Sequence, residues 1–131
     1  METASSQEDM QIKAIDHVSL YVSSIQNVKD FYRDLFQLTC KEIKTKSSPV
    51  LSLENDSLHF FINEDPHIDP EFVAKQHISF EVDSLEPVIQ QLKSLNIPHK
   101  IGQYEGFETR NYRWCAWRDP ENIRLECVEH F

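Results

Sequence analysis

Four side chains of this 131-residue chain carry the donor types of a metal centre: His17, His59, His77 and Glu126. Imidazole plus carboxylate is the common donor set for Zn, Ni, Co, Mn or Fe. A single histidine on a strand is most often a surface or hydrogen-bonded residue, and His67, His99 and His130 are read that way. A repeat sets the four apart. Residues 17–28 read His17-Val-Ser-Leu-Tyr-Val-Ser-Ser-Ile-Gln-Asn-Val28, and residues 77–88 read His77-Ile-Ser-Phe-Glu-Val-Asp-Ser-Leu-Glu-Pro-Val88. His, Ser, Val, Ser and Val recur in register, so one small unit is used twice. His17 and His77 open the two copies. Two related copies place them near a pseudo-twofold axis, where their strands can converge on one ligand.

Strand alternation decides which side chains share a face. Val18, Leu20 and Val22 oppose His17, Ser19 and Tyr21. Ile78, Phe80 and Val82 oppose His77, Ser79 and Glu81. Leu58, Phe60 and Ile62 oppose His59, Phe61 and Asn63. Ile123, Leu125 and Cys127 oppose Arg124, Glu126 and Val128. The apolar faces suit helix packing, so the polar faces share the other side of the sheet, a concave site if the sheet curls, and one polar face would carry His17, His59, His77 and Glu126 together. Glu126 is the only carboxylate of that set and the candidate base. Glu81, on the face of His77, is its competitor, although a rim position or a pairing with Arg124 explains Glu81 equally well. Trp114, Trp117, Tyr112, Phe107 and Phe61 could line a cleft, although aromatics on strands are more often core.

The elements that must position these residues follow from periodicity. Strands are expected over 12–22, 38–45, 50–53 and 58–62, with a helix over 25–35 behind Ser24 as N-cap. Residues 63–69, with Pro66 and Pro70, read as a linker. Strand 76–82, helix 85–95 and strands 99–101, 112–117 and 123–128 repeat the order, with Ser84 as N-cap and Pro87 in the first turn. Residues 102–110 read as a loop long enough to serve as a lid. The fold class is α+β: two tandem βαβββ modules, about 12–63 and 75–130, forming a curled eight-stranded mixed sheet with helices on its convex side. Residues 1–11 read as a disordered tail and 12–131 as one domain.

Composition narrows the function. Two glycines and no GxxxxGK[ST] or GxGxxG argue against a phosphate-cradling loop. A net charge of −9 makes nucleic acid or an anionic membrane surface an unfavourable partner. No apolar run approaches the roughly 20 residues of a membrane span. Three cysteines without CxxC spacing fit a reducing cytoplasm rather than a disulfide scaffold.

From 15 to 129 the chain resembles the vicinal oxygen chelate superfamily, which contains glyoxalase I, extradiol dioxygenases, fosfomycin-resistance proteins, methylmalonyl-CoA epimerase and bleomycin-resistance proteins. The matching stretches are Asp16-His17-Val-Ser-Leu-Tyr-Val22, the helix end Asp30-Phe31-Tyr32-Arg-Asp-Leu35, Gln76-His77-Ile-Ser-Phe-Glu-Val82, and Arg118-Asp119-Pro120-Glu-Asn-Ile-Arg-Leu-Glu126. In the last, Glu121-Asn122 stands where the family pattern has Asp-Gly. The resemblance implies metal ligation by the first and fourth strands of each module, hence by His17, His59, His77 and Glu126. In bacterial-type glyoxalase I the position of His59 is usually Glu. Asn63 matches a glutathione-contacting Asn of that enzyme, and Tyr21 falls where a glutathione-binding Arg is expected. Within the family the modules build a site inside one chain or exchange across a dimer, and two such cups imply a homodimer.

Three function classes follow. One is a metal-dependent lyase or isomerase that abstracts a proton from a small substrate with vicinal oxygens. Another is an Fe(II) ring-cleaving dioxygenase using His17, His77 and Glu126 as a two-histidine, one-carboxylate triad. The third is a non-catalytic protein of the bleomycin-resistance kind that binds a small molecule or drug. Tyr21, Phe61, Asn63, Glu81 and Trp114 are the candidate substrate contacts in each. The four ligand-type residues favour the enzyme, because a binding module need not keep them.

Overall fold

A computed structural model of the chain describes residues 9–45, 47–107 and 110–131, with the side chains at 106 and 107 outside that description. The tail expected over 1–11 and the cleft aromatic Phe107 therefore lie largely or wholly outside the described part. The elements run β1 (Val18–Val22), a 3-10 turn (Ile25–Asn27), α1 (Lys29–Leu35), β2 (Thr39–Lys44), β3 (Pro49–Glu54), β4 (His59–Glu64), α2 (Pro70–Lys75), β5 (His77–Glu81), α3 (Glu86–Ser94), β6 (His99–Phe107), β7 (Arg110–Arg118) and β8 (Arg124–His130). The eight strands form two four-stranded mixed sheets, ordered β1-β4-β3-β2 and β5-β8-β7-β6. In each, the first strand pairs parallel to the last while the other neighbours run antiparallel. The repeat seen in sequence is thus a repeat of topology.

Alternation places one face of each sheet in a common core. Leu20, Val22, Phe60, Ile62, Leu125 and Cys127 are buried, and α1 and α3 add Tyr32, Leu35, Ile89 and Leu92. Phe60 and Phe80, one from each sheet, lie 5.6 Å apart, with Phe36 5.3 Å from Phe80. The modules are also tied by polar bonds. Tyr32 donates its hydroxyl to Asp119 at 2.7 Å. Glu121 accepts from the backbone nitrogens of Ser23 and Ser24 and from Asn27. The Gln76 amide both donates to and accepts from the Tyr21 backbone.

Four local expectations are corrected. The first strand begins at Val18, so residues 12–17 stand outside it, with Ile12 and Ile15 exposed. The first helix is interrupted at Val28, where a 3-10 turn hands over to α1. The linker is followed by a short helix, α2, whose Asp69 side chain caps the nitrogen of Glu71 with Pro70 in the first turn. The expected lid is instead the two long arms β6 and β7, paired up to Phe107 and Arg110. Gly102 within β6 has a packing reason, because the Trp114 ring lies against it and a Cβ there would overlap the ring. At the Glu121-Asn122 turn, Asn122 takes φ 76°, a left-handed conformation that asparagine tolerates better than most residues. Asp119 supports the turn by accepting from the nitrogens of Glu121 and Ile123.

Candidate functional site

The four ligand-type residues come together as two pairs, each on the polar face of its own sheet. His17, just before β1, and His59, the first residue of β4, flank Phe61. Their rings lie 5.3 and 4.4 Å from its centroid. His17 Nδ1 is 2.8 Å from Asp16 Oδ2. That hydrogen bond, reinforced by the imidazole's charge, holds the Asp16 carboxyl below the usual carboxylate range, with His59 adding a smaller pull. A carboxylate on Nδ1 is the arrangement that orients a ligating histidine and leaves Nε2 for a metal. His59 is more committed. Its Nε2 is 2.9 Å from the hydroxyl of buried Ser52, and its Nδ1 is 3.9 Å from Glu54.

The second pair is His77 and Glu126. His77 opens β5 and Glu126 sits mid-way along β8, whose neighbour in register is Ser79. His77 Nε2 lies 3.7 Å from Glu126 Oε1. Ser79 donates to the same oxygen at 2.9 Å, and Arg124 donates to Oε2 at 3.0 Å. Glu126 is 8% exposed, and a carboxylate buried to that degree needs such partners. Above it the Trp114 ring carries the Arg124 guanidinium 5.8 Å from its centroid.

Two donors each about 2.0–2.2 Å from one ion are about 3.7 Å apart when they subtend about 120°. The His77–Glu126 spacing therefore fits shared ligation. Among the described residues, however, no group of three or more His, Cys, Asp or Glu is placed to hold one ion. The spacing of His77 and Glu126 suits two positions on one divalent cation, and among the described residues His17 and His59 do not join them to complete it. The cysteines add no donor. Cys115 and Cys127 are buried core residues, and burial, with lesser contributions from Cys115 and Glu126, pushes the Cys127 thiol up to about 12.

The candidate substrate contacts divide. Phe61 borders the first pair and Trp114 shares a sheet face with the second. Tyr21 is exposed, and its backbone is held by Gln76. Asn63 donates to the Leu20 carbonyl at 3.1 Å, so its amide braces β1. Glu81 is exposed and borders a cavity of about 470 Å³ between the modules, and the carboxylate on Arg124 is Glu126 rather than Glu81. Trp117 belongs to the core. Sequence reasoning placed Ser79 on the right face without giving it a role. Its signal was its position two residues beyond His77 on one strand. Ser52 and Asp16 carried no signal of their own.

The fold is shared with solved structures. A glyoxalase family protein from Enterococcus faecalis is 25% identical, with a TM-score of 0.72 over 92% of this chain and 100% of that one. Lactoylglutathione lyase from Agrobacterium tumefaciens is 17% identical, with a TM-score of 0.68 over 91% and 95%. A bleomycin resistance determinant encoded on the transposon Tn5 is 15% identical, with a TM-score of 0.65 over 89% and 98%. The sequence pattern of one family matches residues 14–127, nearly the whole described chain and both of its modules: the protein belongs to the Glyoxalase/Bleomycin resistance protein/Dioxygenase superfamily.

Proposed function

We propose that this chain is a metal-dependent enzyme that moves a carbon-bound proton in a small substrate with vicinal oxygens, and that its site is completed between two copies of the chain. In this reading His17 and His59 of one copy face His77 and Glu126 of the other. The observation that carries it is the His77–Glu126 pair, spaced as two ligands of one ion and oriented by Ser79. The division of the four donors into two pairs on two sheets supports the second copy. A homodimer of this kind brings the same two patches together twice.

A divalent cation bound there supplies Lewis-acid polarisation of the substrate oxygens. The protein's residues do the rest. His17, with Nδ1 engaged by Asp16, presents Nε2. Glu126 has its Oε2 held by Arg124 and its Oε1 by Ser79, and Oε1, the oxygen on the His77 side, would take the proton and return it to the neighbouring carbon. Phe61 and Trp114 provide apolar walls that limit water. A second reading has one observation in its favour. Ser52 engages His59 Nε2, and if His59 does not ligate, His17, His77 and Glu126 form the triad that suits Fe(II) and a ring-cleaving dioxygenase.

The test is a substrate panel of 2-oxo aldehydes with and without glutathione, acyl-CoA thioesters and catechols, assayed with each divalent metal. Turnover of a proton-transfer substrate that falls about 10²–10⁴-fold in Glu126→Gln is expected. Oxygen uptake with a catechol under Fe(II) would replace this reading with the dioxygenase. Ligand binding with neither turnover nor metal would leave the binding protein.

A further inference from the structure

Beside the His77–Glu126 pair lies a second, basic cavity of about 440 Å³, lined by Pro98, His99, Lys100, Ala116, Trp117, Arg118 and Arg124. Its lining has three permanent cations and no carboxylate, in a chain whose net charge is −9. The register shows how the fold builds it. Arg118 on β7 stands directly opposite Arg124 on β8, Ala116 opposite Glu126, and Lys100 on β6 opposite Ala116. Like charges directly opposite across a sheet are destabilising, so two facing arginines are a cost that sheet packing does not explain.

Little within the chain offsets that charge. Among the described residues Arg124 has Glu126 as its one carboxylate. Arg118 spends Nη1 on the carbonyls of Ala74 and Asn122, which fixes its guanidinium without neutralising it. Neither Arg118 nor Lys100 has a carboxylate within ion-pair distance among the described residues. An anchored guanidinium, a second one shared with the candidate base, and a free ammonium on three adjacent strands suit a planar or tetrahedral oxyanion.

We infer that this cavity binds an oxyanion group, a carboxylate or a phosphoryl group, and that the substrate of the proposed reaction carries it. The binding site stands on the cavity alone. Its assignment to the substrate rests on the proposed function, because Arg124 joins the cavity to Glu126. The reacting carbon would then lie toward His77 with the anionic group on Lys100 and Arg118.

The experiment is an amide-resolved NMR titration of the full chain with inorganic phosphate and, separately, with acetate, at constant ionic strength set by chloride. It is run on the wild type, Lys100→Glu and His77→Ala. Saturable shifts at residues 99–101, 116–118 and 124 are expected with at least one of the two anions, and which anion saturates names the group. Lys100 is exposed, so Lys100→Glu should fold and bind roughly tenfold more weakly. His77 lies outside the cavity, so His77→Ala should keep the binding even if all metal affinity is lost. Saturation by neither anion, equal binding by Lys100→Glu, or binding that vanishes in His77→Ala would overturn the inference. The last would show phosphate held through a metal instead. Absence of metal in the wild type, with anion binding intact, would overturn the proposed reaction and leave the cavity standing.

Discussion

His17 stands exposed and His59 partly buried beside Phe61, and among the described residues only His17 keeps a ring nitrogen without a protein partner. Glu126 lies buried with both oxygens hydrogen-bonded and His77 set beside it. Related strands of a repeated unit thus hold their polar residues to different degrees. The second module is preorganised by a carboxylate that cannot move without breaking two bonds. The first offers His17, whose Nε2 is open to a ligand, beside His59, whose Nε2 Ser52 already engages. A site assembled from one of each would take its geometry from β5 and β8 and its closure from β1 and β4.

The largest effect expected from that contrast is at His77. His77→Ala should lower metal affinity by more than about a hundredfold, measured by metal content after dialysis. Its melting temperature should stay near that of the wild type, because the side chain is exposed. An equal loss in His59→Ala would erase the contrast, since Ser52 already engages His59.

Next is the junction between the modules. Tyr32→Phe removes the buried hydroxyl that Asp119 accepts and should cost about 1–3 kcal/mol in urea unfolding. Metal affinity per folded chain should be unchanged, separating the frame from the site.

Smaller is the effect of the hydroxyls behind each pair. Ser79→Ala should weaken metal binding about tenfold, while Ser52→Ala, which frees His59 Nε2, should weaken it less or strengthen it. Calorimetry of the two variants side by side gives the order, and a reversed order would mean the first module is the organised one.

The smallest effect is at Glu121. Burial alone would raise its carboxyl, but the nitrogens of Ser23 and Ser24 and the Asn27 amide hold it below the ordinary glutamate range. Its folded value is therefore lower than its unfolded one. The stability it adds is complete above about pH 4.3 and is lost as pH falls through the folded value. The melting temperatures of wild type and Glu121→Gln should differ at neutral pH and converge on acidification. A gap that widens on acidification would reverse the sign.

Much of this was legible because strand period and chemistry coincide. His17, Ser19 and Tyr21 alternate with Val18, Leu20 and Val22, and burial follows that alternation. The two-module order was legible for the same reason. Two things were not. The glycine in β6 reads as a loop residue, and only the Trp114 ring packed on it explains why a strand needs it. The grouping of the four donors depends on which sheet faces meet. The rings of Phe36, Phe60 and Phe80 decide that through long-range packing, and local periodicity carries no trace of it. The facing Arg118 and Arg124 were likewise invisible until β7 and β8 were in register.

The central claim, a metal centre shared between copies, is tested most directly by complementation. One variant carries His17→Ala and His59→Ala, the other His77→Ala and Glu126→Gln, and each alone should bind no metal. Unfolded together and refolded, half the dimers are mixed and each mixed dimer has one intact site. Metal per chain should then recover to roughly a quarter of the wild-type value, read by elemental analysis after gel filtration. No recovery, with both variants folded and dimers mixed, would contradict the shared site.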